Sequence, residues 1–458
     1  MMTEPSAIQA EALGGLRRRL RGAVVRPEDT RFAIARRVWN AAIDRHPAAL
    51  VVCEDAEDVT LAVRFAADQG MRVTVRGGGH NVAGRSVADG ALLIDLARMR
   101  AVVVNESAKV AVVQGGALWH DVDVATAAAG LATTGGLVSG TGVGGLTLGG
   151  GTGWLMRRHG LAIDNLVAAG VVLADGRFVR ASATDNAELF YGLRGGGGGF
   201  GVVTSFEFQL HPLRHVLAGL IVRRVAEVRD ALRTFRDFAS IAPDEFCGVM
   251  VIAHAPPLPF LQASWHGQPV VISALCWCGE PGTGERALDP LREFGSPLAV
   301  QVGSMPYVQW QHALDGGAPA GRQQYWKNST FDELSEATIG VLAAAANDLP
   351  NRYSEIHVQH LGGAVARTAQ ADTAFAARRG EFFVNLIGAT PWAEELAELR
   401  DRVRRLHDQL APTTLADVLP NFCDRDDGNV TARLDAVRAQ RIGSLRRRYD
   451  PQGLFVSD

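Results

Sequence analysis

The sequence predicts an α+β protein of two domains, on three observations. At 458 residues the chain exceeds what one hydrophobic core ordinarily serves. Short apolar runs with strand periodicity alternate with amphipathic helical stretches along its length. The chain also changes character at His211-Pro212, with glycine dense before this point and sparser after it. These features imply an N-terminal cofactor domain and a C-terminal substrate domain, both α+β.

The elements follow in order. Residues 49–54 (ALVVCE) predict a strand, and Asp55 to Gln69 a helix. RVTVRGGGHN is a strand running into three glycines. ALLIDL (91–96), AVVVN (101–105) and KVAVVQGG (109–116) are short strands, and 118–129 is helical. AAGVVLADGRFVRAS (168–182) predicts a hairpin turning on Asp-Gly. GVVTSFEFQL (201–210) alternates as a strand with one buried face. Further strands are expected at 246–255, 269–278, 354–366 and 381–388, with a helix-rich tail ending in RRRYDPQGLF (446–455).

Composition excludes several function classes. A net charge of -3 with no aromatic-interleaved basic cluster gives nucleic-acid binding little electrostatic support. No stretch reaches the roughly 18 apolar residues needed to span a bilayer. Met1 to Arg21 is Arg-rich but lacks a signal peptide's apolar run, and Glu4 and Glu11 fit an ordinary first helix better than a transit peptide. A cytoplasmic protein is expected. Five scattered cysteines (Cys53, Cys247, Cys276, Cys278 and Cys423) do not form a disulfide framework. Cys276 and Cys278 share a strand face, but no second ligand pair accompanies them, so core packing is expected and no metal.

Glycine is the anomaly: 51 residues, well above the ~7% usual in proteins. The excess lies in Gly77–Gly79, Gly135–Gly153 and Gly195–Gly201, each set between apolar segments. Glycine lets a ligand approach the backbone closely, and successive free N–H groups cradle anions. Tight turns would account for one such cluster; three suit a dinucleotide. Neither a P-loop nor a G-x-G-x-x-G Rossmann fingerprint after the first strand is present.

VRGGGHNVAG (75–84), GGLVSGTGVGGLTLGGGTGWLMRRHGLAIDNL (135–166), LFYGLRGGGGGFGVVTSFEFQL (189–210) and YDPQGLF (449–455) resemble, in order and spacing, the vanillyl-alcohol oxidase/p-cresol methylhydroxylase (PCMH) flavoproteins. The likeness is to their berberine-bridge-enzyme-like branch and runs over nearly the whole chain. It implies a PCMH-type FAD-binding domain at 1–214, completed by 418–458. It also implies a substrate domain at 215–417, built on an antiparallel sheet flanked by helices. In that family the RGGGH loop wraps the pyrophosphate and its His bonds to the flavin 8α carbon. The resemblance thus assigns Arg76, Gly77, Gly78, Gly79 and Asn81 to the FAD loop and His80 to the covalent link. Many relatives add a second link from a Cys to flavin C6; Val138 stands at that position, so a single link is expected. Gly142, Gly144, Gly145, Thr147, Gly149, Gly150 and Gly151 are placed along the flavin. Thr141 and Val143 border the face where oxygen meets it, and Gly201 and Val202 line the adenine end.

On the substrate side, SEIHVQHLGGA puts Glu355, His357 and Gln359 on one strand face. A polar row on a strand usually meets solvent; the resemblance implies that this one meets flavin, with Glu355 the candidate base. Asn385, Tyr325 (near Lys327) and Trp154 are further candidates, Trp154 equally well suited to core packing. Asn421-Phe422 falls where relatives often carry Asn-Tyr, and Phe lacks the hydroxyl. The implied function is an FAD-dependent oxidase that oxidises a C–H bond of an alcohol, amine, sugar or secondary metabolite and passes electrons to O2, giving H2O2. The alternatives are a dehydrogenase or oxygenating flavoenzyme, and a non-catalytic flavin-binding protein on the same scaffold.

Overall fold

The computed structural model describes residues 7–427 and 435–456; the first six residues of the expected N-terminal helix, Glu4 among them, lie outside these. Among the described residues the strands form three principal sheets. In the first, β1 (Ala23–Val25), β2 (Ala49–Val52), β3 (Val73–Arg76) and β4 (Leu92–Asp95) stand in the order β1-β2-β4-β3, with β2 and β3 parallel to β4. The crossover from β2 to β3 is the helix Ala56–Asp68, whose Asp55 cap accepts the amides of Glu57 and Asp58.

The second sheet holds β5 (Val102–Asn105), β6 (Val110–Gln114), β8 (Leu166–Val172), β9 (Phe178–Ser182) and β10 (Val202–Gln209), all antiparallel, in the order β5-β6-β10-β8-β9. The expected hairpin is β8–β9, turning at Asp175-Gly176 with Gly176 at a φ of 74°. A two-residue ribbon pairs β7 (Leu131–Ala132) with β11 (His211–Pro212), where the chain changes character.

The third sheet is antiparallel throughout: β12 (His215–Arg224), β13 (Phe246–His254), β14 (Pro269–Trp277), β15 (Ala299–Pro306), β16 (Gln323–Phe331), β17 (Glu355–His360) and β18 (Phe382–Thr390), in the order β15-β12-β14-β13-β17-β18-β16. One face packs on the helices Val228–Ala239, Glu336–Ala346 and Leu396–Leu410, through Ile221, Met250, Leu275, Tyr325, Ile356 and Leu386. The opposite face turns Val251, Ile272 and Phe383 towards the glycine-rich half. This is the antiparallel sheet with flanking helices that the sequence implies.

Three strands of this sheet, β12, β15 and β16, were not anticipated. β12 is buried on both faces and carries no alternation to read. The expected strand over 354–366 ends at His360, because Gly362 and Gly363 take φ of 64° and 58° and turn the chain away. All five cysteines are buried, and Cys247 lies opposite Cys276 across β13–β14. Desolvation raises the Cys247 thiol to about 12 and that of Cys278 to about 11, so both are inert packing groups. No helix among the described residues is long and apolar enough to cross a membrane.

Candidate active site

β3 delivers its last residue, Arg76, beside Asp95 of the parallel neighbour β4, and their side chains pair at 2.6 Å. Past this pin the chain leaves the sheet as the loop Gly77–Asn81. The loop meets a second one around Gly142, which forms a bridge with Leu118. The two backbones touch: a Cβ on Gly78 would lie 2.6 Å from the amide nitrogen of Gly142. Both loops are pinned: Val143 donates its N–H to Ala117 and Trp119 donates to Thr141 on one side, and Trp39 donates to the Gly79 carbonyl on the other. Gly78→Ala should therefore cost about 1–3 kcal/mol through overpacking and lower cofactor content. Thermal melting and flavin absorbance per chain would measure this, and an unchanged melting temperature with full loading would show that the loops separate freely.

Between these loops and the third sheet lies a cavity of about 1100 Å³, above the ~300–1,000 Å³ usual for a single small-molecule site. Its wall includes Gly77, Gly78, Gly79, His80 and Asn81, then Val138, Thr141, Gly142, Gly144, Gly145 and Gly149, then the run Gly195–Gly199 with Gly201. Across from them stand Trp326, Glu355, His357, Asn385 and Phe422. The sequence-derived loops and the polar strand row thus share one space.

His80 is half-buried, its ring stacked on Trp39 at 4.4 Å and 19°. Desolvation holds its pKa down to about 4, so the imidazole is neutral near pH 7. Trp39 is itself fixed: its backbone bonds to Gly79 and Gly321, and its indole N–H donates to Ala318. The next residue, Asn40, donates to the carbonyls of Val82 and Gln324 and accepts from the Gln324 amide. This dipeptide therefore ties the His80 loop to β16. Sequence reasoning missed it; a lone Trp-Asn between loops carries no periodic signal.

On β17, Glu355 Oε2 and His357 Nε2 are 2.7 Å apart, side by side on the cavity face. Asn385 of β18 pairs opposite His357, and among the described residues its buried Oδ1 has no hydrogen-bond partner. Asn421 spans the glycine loop, accepting the Gly151 amide and donating to the carbonyls of Gly145 and Leu146. Phe422 stacks with Trp326 at 6.1 Å.

Several sequence candidates lie elsewhere. The Arg76 guanidinium is committed to Asp95 and the Arg37 carbonyl and does not line the large cavity. Val143, Thr147 and Val202 are fully buried behind the loops, and Gly150 and Gly151 also fall outside the lining. Tyr325 is corrected by strand alternation: Trp326 takes the cavity face, and the Tyr325 hydroxyl donates to Asp426 at 2.6 Å on the helix side. Desolvation raises that phenol well above its ordinary range. Lys327 joins the same network through Asp426 and Asp427. Gln359 shares the face of Glu355 but is buried beside Cys247, beyond the cavity. Trp154 packs on Trp310 at 4.9 Å within the core. Beyond Trp39 and Trp326, the wall adds His254, Arg322, Arg352 and Tyr353, which the sequence did not single out.

The residues present fit a flavin dinucleotide: the space is large, and its loops bring backbone within contact. Comparison with known proteins agrees. Residues 47–182 match the FAD binding domain family. An FAD-linked oxidoreductase of Dictyostelium discoideum is 29% identical over 92% of this chain and 90% of its own. The (R)-6-hydroxynicotine oxidase of Paenarthrobacter nicotinovorans is 28% identical over 95% of each. Among solved structures, 6-hydroxy-D-nicotine oxidase from Arthrobacter nicotinovorans superposes with a TM-score of 0.84 at 26% identity, covering 95% of this chain and 96% of that one. Berberine bridge enzyme, solved as its H174A variant with (S)-reticuline, shares the fold at a TM-score of 0.83 and 20% identity, over 98% and 97%. Loops, cavity and likenesses converge: the chain has the fold of the PCMH-type FAD oxidases, which berberine bridge enzyme shares, carries an FAD-binding domain, and is an FAD-dependent oxidoreductase.

Proposed function

We propose that this oxidoreductase is an oxidase for a small molecule carrying an oxidisable C–H bond next to an O–H or N–H group, with O2 as electron acceptor and H2O2 as product. The observation that carries this reading is the single cavity joining His80 and the glycine loops to the Glu355–His357 pair. Residues 1–214 and 418–458 would hold FAD, and 215–417 the substrate. Bound FAD would supply the two-electron acceptor for the C–H bond and pass the electrons to O2. Glu355 accepts the O–H or N–H proton of the substrate, and His357 holds the carboxylate in position by the bond at 2.7 Å. Asn385, on the same wall, orients the ligand. Trp326 and Phe422 wall off water from the reacting end.

His80 is the proposed sole covalent anchor. Its stacking on Trp39 holds the ring in place before cofactor arrives, and Val138 at the cavity wall offers no thiol for a second bond.

The test begins with a substrate from an alcohol, amine and sugar panel that bleaches the flavin without oxygen. Admitting O2 should restore the colour with one H2O2 per turnover. Colour restored only by an artificial acceptor would make the protein a dehydrogenase. Acid-precipitated protein should stay yellow; a colourless pellet would remove the covalent anchor while leaving the oxidase reading intact.

A further inference from the structure

Where the cavity is lined by the residues leading into β16 and β17, two arginines share one aromatic ring. The Arg322 guanidinium lies 4.8 Å from the centroid of Tyr353, and that of Arg352 lies 5.0 Å from it. All three residues line the cavity. Arg322 donates to the Gly317 carbonyl and Arg352 to the Tyr353 hydroxyl, and neither has a carboxylate partner among the described residues. Each bond uses one of the five N–H donors a guanidinium carries, so most donors of both remain open. The nearby carboxylate on this wall, Glu355, is already bonded to His357.

Two like charges held within about a Debye length (~10 Å) repel. Arg352 is exposed and Arg322 half-buried, yet both guanidinium groups lie over the same ring. The arrangement is relieved when an anion sits between or beside them, and guanidinium forks match carboxylate geometry. Tyr353 precedes Glu355 by two residues, which spans at most about 7 Å of backbone. That is roughly the length of one aromatic ring. The cavity supplies ring partners in Trp326 and Phe422.

We propose that Arg322 and Arg352 form an anion subsite that takes the carboxylate of an aromatic acid, with the ring lying against Trp326 and Phe422 and the oxidised end at Glu355. This rests on the cavity's being the substrate site proposed above, and it narrows the substrate to an aromatic acid.

The test is calorimetric titration of the holoprotein with phenylacetate and with its neutral isostere phenylacetamide, so that the readout does not depend on turnover. Wild type should bind the acid at least tenfold more tightly than the amide. Arg352→Gln and Arg322→Gln should each bring the two ligands to within about twofold, with the flavin spectrum unchanged. Equal binding of acid and amide, no binding of either, or full discrimination kept in both variants would overturn the subsite. None of those results touches the oxidase reading, which stands or falls on flavin bleaching and H2O2 formation.

Discussion

Glu355→Gln is expected to slow substrate-driven flavin reduction by about 10²-fold or more, the range a positioned general base contributes (~10²–10⁴). The amide is nearly isosteric and still meets His357, so the wall keeps its shape and affinity should change little. What disappears is the acceptor for the substrate proton. Rapid mixing without oxygen, following loss of flavin absorbance, reads the chemical step directly. A wild-type reduction rate would take the base role away from Glu355. A raised KM at unchanged kcat would instead make it a binding residue. His357→Ala should give a smaller decrease, because it positions the carboxylate without replacing it.

The second large effect is on cofactor attachment. In His80→Ala, flavin should bind but come away completely on acid precipitation, whereas wild type should retain it. Unchanged covalent loading would move the anchor to another residue. The depressed His80 pKa adds a pH signature. Attack by the imidazole needs its neutral form. With the pKa held at about 4 by desolvation, against 6.5 ordinarily, that form prevails throughout pH 6–8. Apoprotein mixed with FAD should therefore acquire its covalent link without the decline towards pH 6 that an ordinary histidine would impose. The linked stability effect has a definite sign. The unfolded chain binds the extra proton between about pH 4 and 6.5, so burial of His80 makes the fold less stable as pH falls through that window.

Much of the fold was legible because its elements announce themselves locally. The helix after Asp55, the Asp-Gly hairpin and the alternation of β10 each sit where the sequence puts them. β16 was opaque for a physical reason: QQYWKNSTF sets polar side chains against a cavity on one face and an ion network on the other, so hydropathy does not alternate. The same strand shows how the site was half legible. Tyr325 was a candidate and its neighbour Trp326 was not, and only the register that pairs Tyr325 with Gly388 and Trp326 with Ile387 decides which one meets the cavity. Period-two reasoning grouped Glu355 with His357 but overreached at Gln359, because the row continues past the end of the cavity. Arg322, Arg352 and Tyr353 stand ahead of their strands, outside any pattern, and meet only through the sheet.

Asn421 clasps the carbonyls of Gly145 and Leu146 and the amide of Gly151, and Phe455 forms a bridge with Val73 beside the Arg76 pin. The pocket built from residues 77–201 is thus closed by residues made at the far end of the chain. On a ribosome adding about 5–20 residues per second, the glycine loops emerge many seconds before their clasps. A nascent chain carries the loops without the walls that hold them, and cofactor loading becomes an event of the finished polypeptide. A ribosome stalled short of Asn421 leaves a chain with every glycine of the cradle and no means of closing it.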